Sequence, residues 1–447
     1  MTSETFCILP WVHAMTSTDG NVHLCCVSSG GSGVNLNEHT LADYWNSQFV
    51  KDVRRRMLAG KRVTACQHCY RLEEHGYKSH RLVENEVWQK KCGEEVLQQL
   101  IGKTAADGTL DAAVQYLDLR LGNTCNLQCI MCQPQESSRW LPTARQISDL
   151  CRDQELKNDW TFKSNINTSR FEWYHNPAFW SNLKTFLPHV KEIALAGGEP
   201  FLIKEQFTFV KACCDMGEAG HIRLRYHTNA TVFPEEMIPY WEQFEKVHFF
   251  VSLDGIGDVA HYVRHPSKWQ EIETNIRRFD SLGENTLTNF YFSTHALNIS
   301  RLPEVLDWAE KSNLRNRQRF NNMQDYLHPG LVFHPSYQSI RVLPVDYKQV
   351  ITQKISEYLE KRLAGQAVDN LTAILKFMNT EDHSESMPRL IEYTKALDLS
   401  RDTDFFTTFP ELGPYWLRYE SNPKKDRKDP LLVRARYLVA LRKAGLQ

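Results

Sequence analysis

Three cysteines on one short stretch, Cys125, Cys129 and Cys132, are the residues whose type and spacing most directly imply chemistry. Thiolates ligate iron–sulfur clusters, and a closed four-iron cluster takes four of them. The C-x3-C-x2-C spacing offers three, which would leave one iron open. An open position on a metal centre admits a reactant, as it does in catalytic as opposed to structural zinc sites. Zinc completed by a residue distant in sequence, such as His175 or His189, and an inert buried group of thiols are the alternatives this triplet leaves open. A second set lies near the N-terminus: Cys7, Cys25, Cys66 and Cys69, in the pattern C-x12-G-x4-C followed by C-x2-C, with Gly20 as the glycine. Four thiolates saturate either a four-iron cluster or a zinc ion, and spacing alone does not separate the two. Cys26 adjoins Cys25, and the G-x4-C register favours Cys25 as the ligand.

The elements that must position these thiols follow from pattern. The chain has 447 residues, 42% hydrophobic and 24% charged, enough apolar material for a large core and too much for a disordered chain. Candidate strands cover 115–121, 192–196, 222–227, 247–253, 289–296 and 331–333, and several of the segments between them have helical periodicity, such as 302–309. Alternating strands and helices imply parallel strands with helical crossovers. The expected fold class is therefore α/β, a partial (β/α)6 TIM-like barrel, whose ligands lie at the C-terminal ends of the strands. The Cys125 loop follows the first of these strands directly.

Around the barrel, residues 1–80 form a small Cys-rich domain and 81–114 a helical connector. The barrel proper occupies 115–343, with an aromatic-rich insertion at 133–190, and a helical C-terminal region runs from 344 to 447. In the first domain Asp19-Gly20 signals a hairpin, and 40–58 reads as one helix with Thr40 as N-cap and Gly60 as stop. The insertion carries Trp140, Trp160, Phe162, Phe171, Trp173, Tyr174, Phe179 and Trp180, read as subdomain core. The C-terminal region ends in a basic amphipathic stretch at 431–443, expected to dock on its own domain.

Lys and Arg number 53 against 54 Asp and Glu, for a net charge of −1, so binding to nucleic acid by charge surplus is not expected. No apolar run is long enough to span a membrane and the first ten residues do not form a signal peptide, so a cytoplasmic protein is expected. In a reducing compartment its 12 cysteines would not be mainly disulfides.

The segment Asn123-Thr124-Cys125-Asn126-Leu127-Gln128-Cys129-Ile130-Met131-Cys132 resembles the signature loop of the radical S-adenosylmethionine (SAM) superfamily. The resemblance implies a [4Fe–4S] cluster on Cys125, Cys129 and Cys132. Its open iron would be chelated by SAM, which is cleaved reductively to a 5′-deoxyadenosyl radical that abstracts hydrogen from a substrate. Met131 stands where the family usually has an aromatic residue and would supply the apolar contact for adenine. Ala196-Gly197-Gly198-Glu199-Pro200 is similar to the family's GGEP motif, whose backbone and Glu hold the SAM ammonium. Thr228-Asn229-Ala230-Thr231 resembles its TNGT-like segment, with Ala230 in place of the usual Gly. By the same resemblance, Ser252 and Asp254 would lie near the SAM ribose and Arg264 would neutralise its carboxylate.

Cys7-Ile8-Leu9-Pro10-Trp11, Asp19-Gly20, Cys25-Cys26 and Cys66-Gln67-His68-Cys69 resemble the auxiliary-cluster module called SPASM or, when shortened, twitch. This implies an auxiliary [4Fe–4S] cluster on Cys7, Cys25, Cys66 and Cys69, in a module that here precedes the barrel instead of following it. Relatives with such modules often modify peptides or proteins, so a peptide or protein substrate is expected, with an electron donor such as flavodoxin or ferredoxin and no nucleic-acid or membrane partner. A small-molecule or RNA substrate, or a non-catalytic zinc or iron–sulfur protein, are the alternatives. No residue stands out as a general base or as a quencher of a substrate radical.

Blander roles fit the remaining candidates. Cys92, Cys151, Cys213 and Cys214 lack partners at ligand spacing and are read as packing residues. His13, His68, His75 and His80 are read as solvated or hydrogen-bonded. Arg315, Arg317 and Arg319 are read as a solvated face, with an acidic peptide as the alternative partner. Replacing Cys129 with Ala is expected to abolish SAM cleavage and Cys92→Ala to leave it intact, measured as 5′-deoxyadenosine formed under strong reductant; equal loss in both would discredit the ligand assignment.

Overall fold

The computed structural model describes residues 4–74, 78–320, 326–362 and 367–419. Its strands are β1 (His13–Thr16), β2 (Val22–His23), β3 (Tyr116–Leu121), β4 (Gln128–Cys129), β5 (Glu192–Gly197), β6 (Arg223–Thr228), β7 (Lys246–Ser252), β8 (Arg264–His265), β9 (Thr286–Thr294) and β10 (Leu327–Leu331). Five of the six expected barrel strands form where expected, and the sixth forms a few residues earlier in the chain. They lie side by side in chain order, β3-β5-β6-β7-β9-β10, every pair parallel. Helices Lys204–Asp215, Trp269–Asp280 and Leu302–Lys311 make crossovers. The result is an α/β fold on a mostly parallel sheet.

Alternation along β6 explains the two faces of this sheet. Leu224, Tyr226 and Thr228 are buried, whereas Arg223, Arg225 and His227 are half-buried. Tyr226 meets Phe201, Trp241 and Phe249 with ring centroids 4.8–5.9 Å apart, the aromatic packing that joins sheet to helices. The other face is polar. There the Arg225 guanidinium lies over the Tyr116 and Phe250 rings and His227 stacks on Phe250 at 5.0 Å. The helix His80–Cys92 covers part of this polar face: Lys91 pairs with Glu192 at the start of β5, Glu192 also binds Arg225 at 2.6 Å, and Trp88 packs beside Tyr116. A pair of buried opposite charges roughly breaks even, so the apolar body of Trp88 is what holds this helix in place.

The sheet does not stop at β3. β1 pairs with it in parallel (His13↔Tyr116, Ala14↔Leu117, Met15↔Asp118), and β2 folds back antiparallel on β1. The hairpin turn needs Gly20, which has φ +83° and whose absent Cβ would sit 3.0 Å from the Trp173 ring. Trp173 in turn donates to the Thr18 carbonyl at 2.9 Å. Thus the aromatic insertion packs on the N-terminal hairpin. Its aromatics are buried as expected, except Phe162, which is 72% exposed.

Three expectations need correction. The single helix at 40–58 is two, Leu41–Trp45 and Gln48–Leu58, because Asn46 and Ser47 satisfy backbone groups with their side chains: Ser47 caps the second helix through the Val50 N–H, and Asn46 accepts from Leu110 N–H and Arg54. Thr40 does cap the first, in a capping box with Asp43. The last strand is Leu327–Leu331, not 331–333. It contains Pro329, which obscures a strand in sequence but is tolerated on an edge strand. Finally, Arg315, Arg317 and Arg319 are more than a solvated face: half-buried to exposed, they are also engaged by neighbouring groups. Arg319 donates to the Thr286 carbonyl and pairs with Glu284, Arg315 donates to the Leu282 and Gly283 carbonyls, and Arg317 to the Phe320 carbonyl, so the run ties down the entry to β9.

The C-terminal region is helical through Val345–Arg362, Ala367–Thr380, Met387–Arg401 and Gly413–Tyr419; the stretch 431–443 and His75 lie outside the described residues. No described helix is long and apolar enough to cross a membrane. Trp88→Ala should lower unfolding stability by about 3–5 kcal/mol, whereas Phe162→Ala should change it by less than about 0.5 kcal/mol; denaturant titration of both variants distinguishes them.

Candidate active site

The Cys125–Cys132 loop leaves the C-terminal end of β3 and is held from several sides. Asn123 is buried, donates to the Pro134 carbonyl at 2.7 Å and accepts from Ser138 N–H at 2.6 Å, closing the loop on itself. Cys129 lies in β4, paired antiparallel with β8, and Arg264 is its direct partner. The Arg264 guanidinium stands 3.6 Å from the Cys129 sulfur and 2.5 Å from the Asp254 carboxylate. Hydrogen bonding from Cys132, together with the charges of Arg264 and Arg401, brings the Cys129 thiol down to about 7. Burial pushes Cys125 up to about 12 and the hydrogen bond to Cys129 raises Cys132 as well. Three thiols in this state ionise together only when a cation shares their space. Met131 is half-buried between the second and third of them.

The glycine pair after β5 meets this loop without any side chain in between. Gly198 N–H donates to the Gly122 carbonyl and Glu199 N–H to the Thr124 carbonyl at 2.8 Å. A Cβ on Gly198 would lie 2.1 Å from the Thr124 oxygen, and one on Gly197, at φ +114°, 2.8 Å from the Leu121 nitrogen. Only glycine fits at either position. Pro200 then opens a short 3-10 turn. The Glu199 carboxylate is buried and accepts from Phe201 N–H, the Thr228 hydroxyl and Asn229 N–H at 2.7–3.1 Å. Burial still pushes its carboxyl up to about 7, against these hydrogen bonds and the charge of Arg264.

The Thr228–Thr231 segment joins the same network. Asn229 donates to Asn126 at 3.0 Å and lies 3.9 Å from the Cys125 sulfur, and Asn126 donates to Thr231 at 2.8 Å. Ala230 takes φ +56°, the left-handed conformation that a glycine would adopt freely, with its N–H on the Thr228 hydroxyl and its carbonyl on Asn275. The replacement keeps the turn.

Ser252 ends β7 half-buried, beside Tyr291 in the register of β9. Asp254 is 1% exposed, and its carboxylate is engaged by Arg264 and by Ser293 N–H at 2.6 Å. Arg264 is correspondingly drawn toward Cys129 and Asp254. Three further residues support the loop from regions that carry no motif. Gln338 and Tyr393 both donate to the Ile130 carbonyl (2.7 and 2.9 Å), and Arg401 donates to the Gln128 carbonyl at 2.5 Å with its guanidinium 4.4 Å above the Trp140 ring. No local signal could have found them, since their partners lie more than 200 residues away in sequence.

Cys7, Cys25, Cys66 and Cys69 line one cavity of about 280 Å³, with His80 and Arg81 on its wall. Cys26 does not: it is exposed, with its sulfur 3.8 Å from His80. Burial and mutual repulsion raise Cys7, Cys25 and Cys66, and burial raises Cys69, so this set too ionises only around a cation. Among the described residues, no three Cys, His, Asp or Glu side chains close on a point as a single metal ion requires. His13 is buried with its Nδ1 on the Leu24 carbonyl, and His68 is exposed. Cys151 and Cys213 are buried in the core, and Cys92 and Cys214 are partly buried against it.

A sheet of sequential βα units with a three-thiol loop at the end of its first strand defines a SAM-dependent iron–sulfur fold, and sequence comparison agrees. The radical SAM superfamily model matches residues 119–309, and the SPASM iron–sulfur cluster-binding domain matches residues 7–70. Residues 119–309 are therefore a radical SAM domain and residues 7–70 a SPASM domain, which imply a [4Fe–4S] cluster, SAM and auxiliary iron–sulfur as cofactors. Among solved structures, SuiB of Streptococcus suis bound to the precursor peptide SuiA is similar at 11% identity, covering 71% of this chain and 68% of that one with a TM-score of 0.36. SuiB bound to S-adenosylmethionine is similar at 11% identity, 74% and 64% coverage and a TM-score of 0.33. TYW1 with a lysine–pyruvate adduct is similar at 12% identity, 55% and 72% coverage and a TM-score of 0.27. No curated protein matches the chain in sequence.

Gly198→Ala should push the Thr124–Cys125 backbone out of place and reduce SAM cleavage on the order of 100-fold, with loss of iron from the Cys125 loop. Gly220→Ala, where a Cβ would meet nothing closer than 4.0 Å, should retain both. Iron and sulfide content and 5′-deoxyadenosine yield measure the contrast.

Proposed function

We propose that this protein cleaves SAM reductively at the Cys125–Cys132 loop and uses it to modify a peptide or protein, with flavodoxin or ferredoxin as electron donor. The observation that carries the SAM-cleaving half of this reading is the direct backbone contact of Gly198 and Glu199 with the cysteine loop. It puts a carboxylate that forms no ion pair among the described residues next to three thiols that need positive charge. When bound, the cluster and SAM supply the one-electron chemistry and the hydrogen-abstracting radical.

The chain's own residues do the rest. Cys125, Cys129 and Cys132 hold the cluster and leave one iron free. Arg264, itself oriented by Asp254, places positive charge beside the Cys129 sulfur, and Arg401 adds to it. Glu199, its carboxyl raised to about 7 by burial, would hold the SAM ammonium. Gly197 and Gly198 let the backbone approach closely, Pro200 turns the chain away, and Met131 offers apolar surface. Thr228 and Asn229 orient Glu199, and Ser252 faces the same strand ends. Asp254 acts through Arg264 instead of touching the ribose. Cys7, Cys25, Cys66 and Cys69 hold the auxiliary cluster. The peptide substrate is supported by the SPASM domain, which in relatives accompanies peptide and protein modification.

Anaerobic holoenzyme supplied with SAM, reductant and a size-fractionated extract of the source organism tests the substrate class. Stimulation of 5′-deoxyadenosine formation by the macromolecular fraction, abolished by protease, is the expected result. Stimulation confined to the small-molecule fraction, or abolished by ribonuclease, would overturn the peptide reading.

A further inference from the structure

One stretch of surface carries far more positive charge than a chain of net charge −1 provides on average. Between residues 51 and 71 the cations Lys51, Arg55, Arg56, Lys61, Arg62 and Arg71 all reach solvent, and Asp52 is the one carboxylate in that stretch. Arg54 is different: it is buried, with its guanidinium on the Pro10 and Trp45 carbonyls, and belongs to the core. Lys51 pairs with Asp107, Arg55 with Asp52 and Arg62 with Glu74. Arg56 donates to the Arg62 carbonyl at 2.9 Å, which leaves its charge uncompensated, and Lys61 meets no carboxylate among the described residues. A surplus of positive charge remains after every pairing.

The ridge is built onto the auxiliary thiols. Cys66 and Cys69 lie in the same stretch, Cys66 N–H bonds the Val63 carbonyl at 3.0 Å, and the Val63 N–H reaches the Tyr70 hydroxyl. The Arg62 guanidinium lies 5.2 Å from the Tyr70 ring centre, and Arg81, on the wall of the thiol cavity, sits 5.6 Å from the same ring. Gln67 and His68, between the two thiols, are exposed, and Cys66 itself is half-buried. The cavity thus comes close to solvent where the cations are concentrated.

We propose that this ridge is the docking surface for a small acidic electron-carrier protein that delivers one electron to the auxiliary cluster. The carrier is oxidised, the cluster is reduced, and no covalent bond forms or breaks. The inference rests on Cys7, Cys25, Cys66 and Cys69 being the auxiliary ligands. Electron-transfer encounters are small interfaces, commonly below about 1,200 Å², and a few uncompensated charges suffice to steer them. An acidic partner seated on Arg56, Lys61 and Arg62 is carried to the ligands Cys66 and Cys69. That proximity serves an electron carrier and gives nothing to a polyanion held only by its charge.

The test uses anaerobic holoenzyme and, as probe, an acidic plant-type [2Fe–2S] ferredoxin. Lys61→Glu/Arg62→Glu should weaken ferredoxin binding by about tenfold or more and flatten its dependence on salt. Ferredoxin-driven 5′-deoxyadenosine formation should fall in parallel, while the dithionite-driven rate stays within about twofold. Lys61→Glu alone, which breaks no ion pair, should show a smaller loss in the same direction. Lys90→Glu/Lys103→Glu, the same charge change elsewhere, should bind as the parent does. Unchanged affinity in the ridge variants, or equal loss in the control pair, would overturn the proposal. Iron and sulfide content of Cys66→Ala separately tests the ligand assignment: full content there would refute that assignment, whatever the ridge variants do.

Discussion

Two loops from successive barrel strands meet here through backbone alone, and the geometry of the site depends on that meeting. Gly198 and Glu199 donate their N–H groups to the Gly122 and Thr124 carbonyls, and the missing Cβ atoms at 197 and 198 are what let the chains come so close. Because the bonds are backbone to backbone, the separation of the Cys125 loop from the Glu199 carboxylate is set by peptide geometry and not by flexible side chains. Parallel β3–β5 pairing delivers both loops to the same edge, with Leu121 opposite Gly197.

Charge is arranged around this contact so that each group lacks something a ligand would bring. The Glu199 carboxylate accepts three hydrogen bonds yet is pushed up to about 7, and burial raises the Cys125 thiol while the Cys129 thiol is brought down to about 7. Arg264 and Arg401 are buried cations, which stay charged in a protein interior only beside anions. Asp254 serves one of them, and a thiolate serves both. Replacing any member with an apolar residue would leave its partner buried and unpaired, which costs more than the pair contributes.

The N-terminal module and the C-terminal helices are both built into the barrel. β1 continues the sheet beyond β3, so the auxiliary thiols and the Cys125 loop share one hydrogen-bonded framework. From the other end of the chain, the helix Met387–Arg401 contributes Tyr393 and Arg401 to carbonyls inside the cysteine loop. A loop braced from both ends of the sequence keeps its thiols in position before any cluster is bound.

The chemistry was legible in the sequence because cluster ligation is encoded locally: C-x3-C-x2-C, Gly-Gly-Glu-Pro and the four N-terminal cysteines each declare themselves by spacing. The first five of the parallel strands were legible for the same reason, since a period of two is a local property; the break at Asn46–Ser47 and the Pro-containing β10 were not, because side-chain capping and edge position override pattern. Tertiary structure alone decided that Cys25 and not Cys26 faces the cavity, that Asp254 holds Arg264, and that Gln338, Tyr393 and Arg401 brace the loop. Each of these is a contact between residues far apart in the chain or a choice of side-chain direction, and no spacing along a sequence specifies where two distant segments will touch.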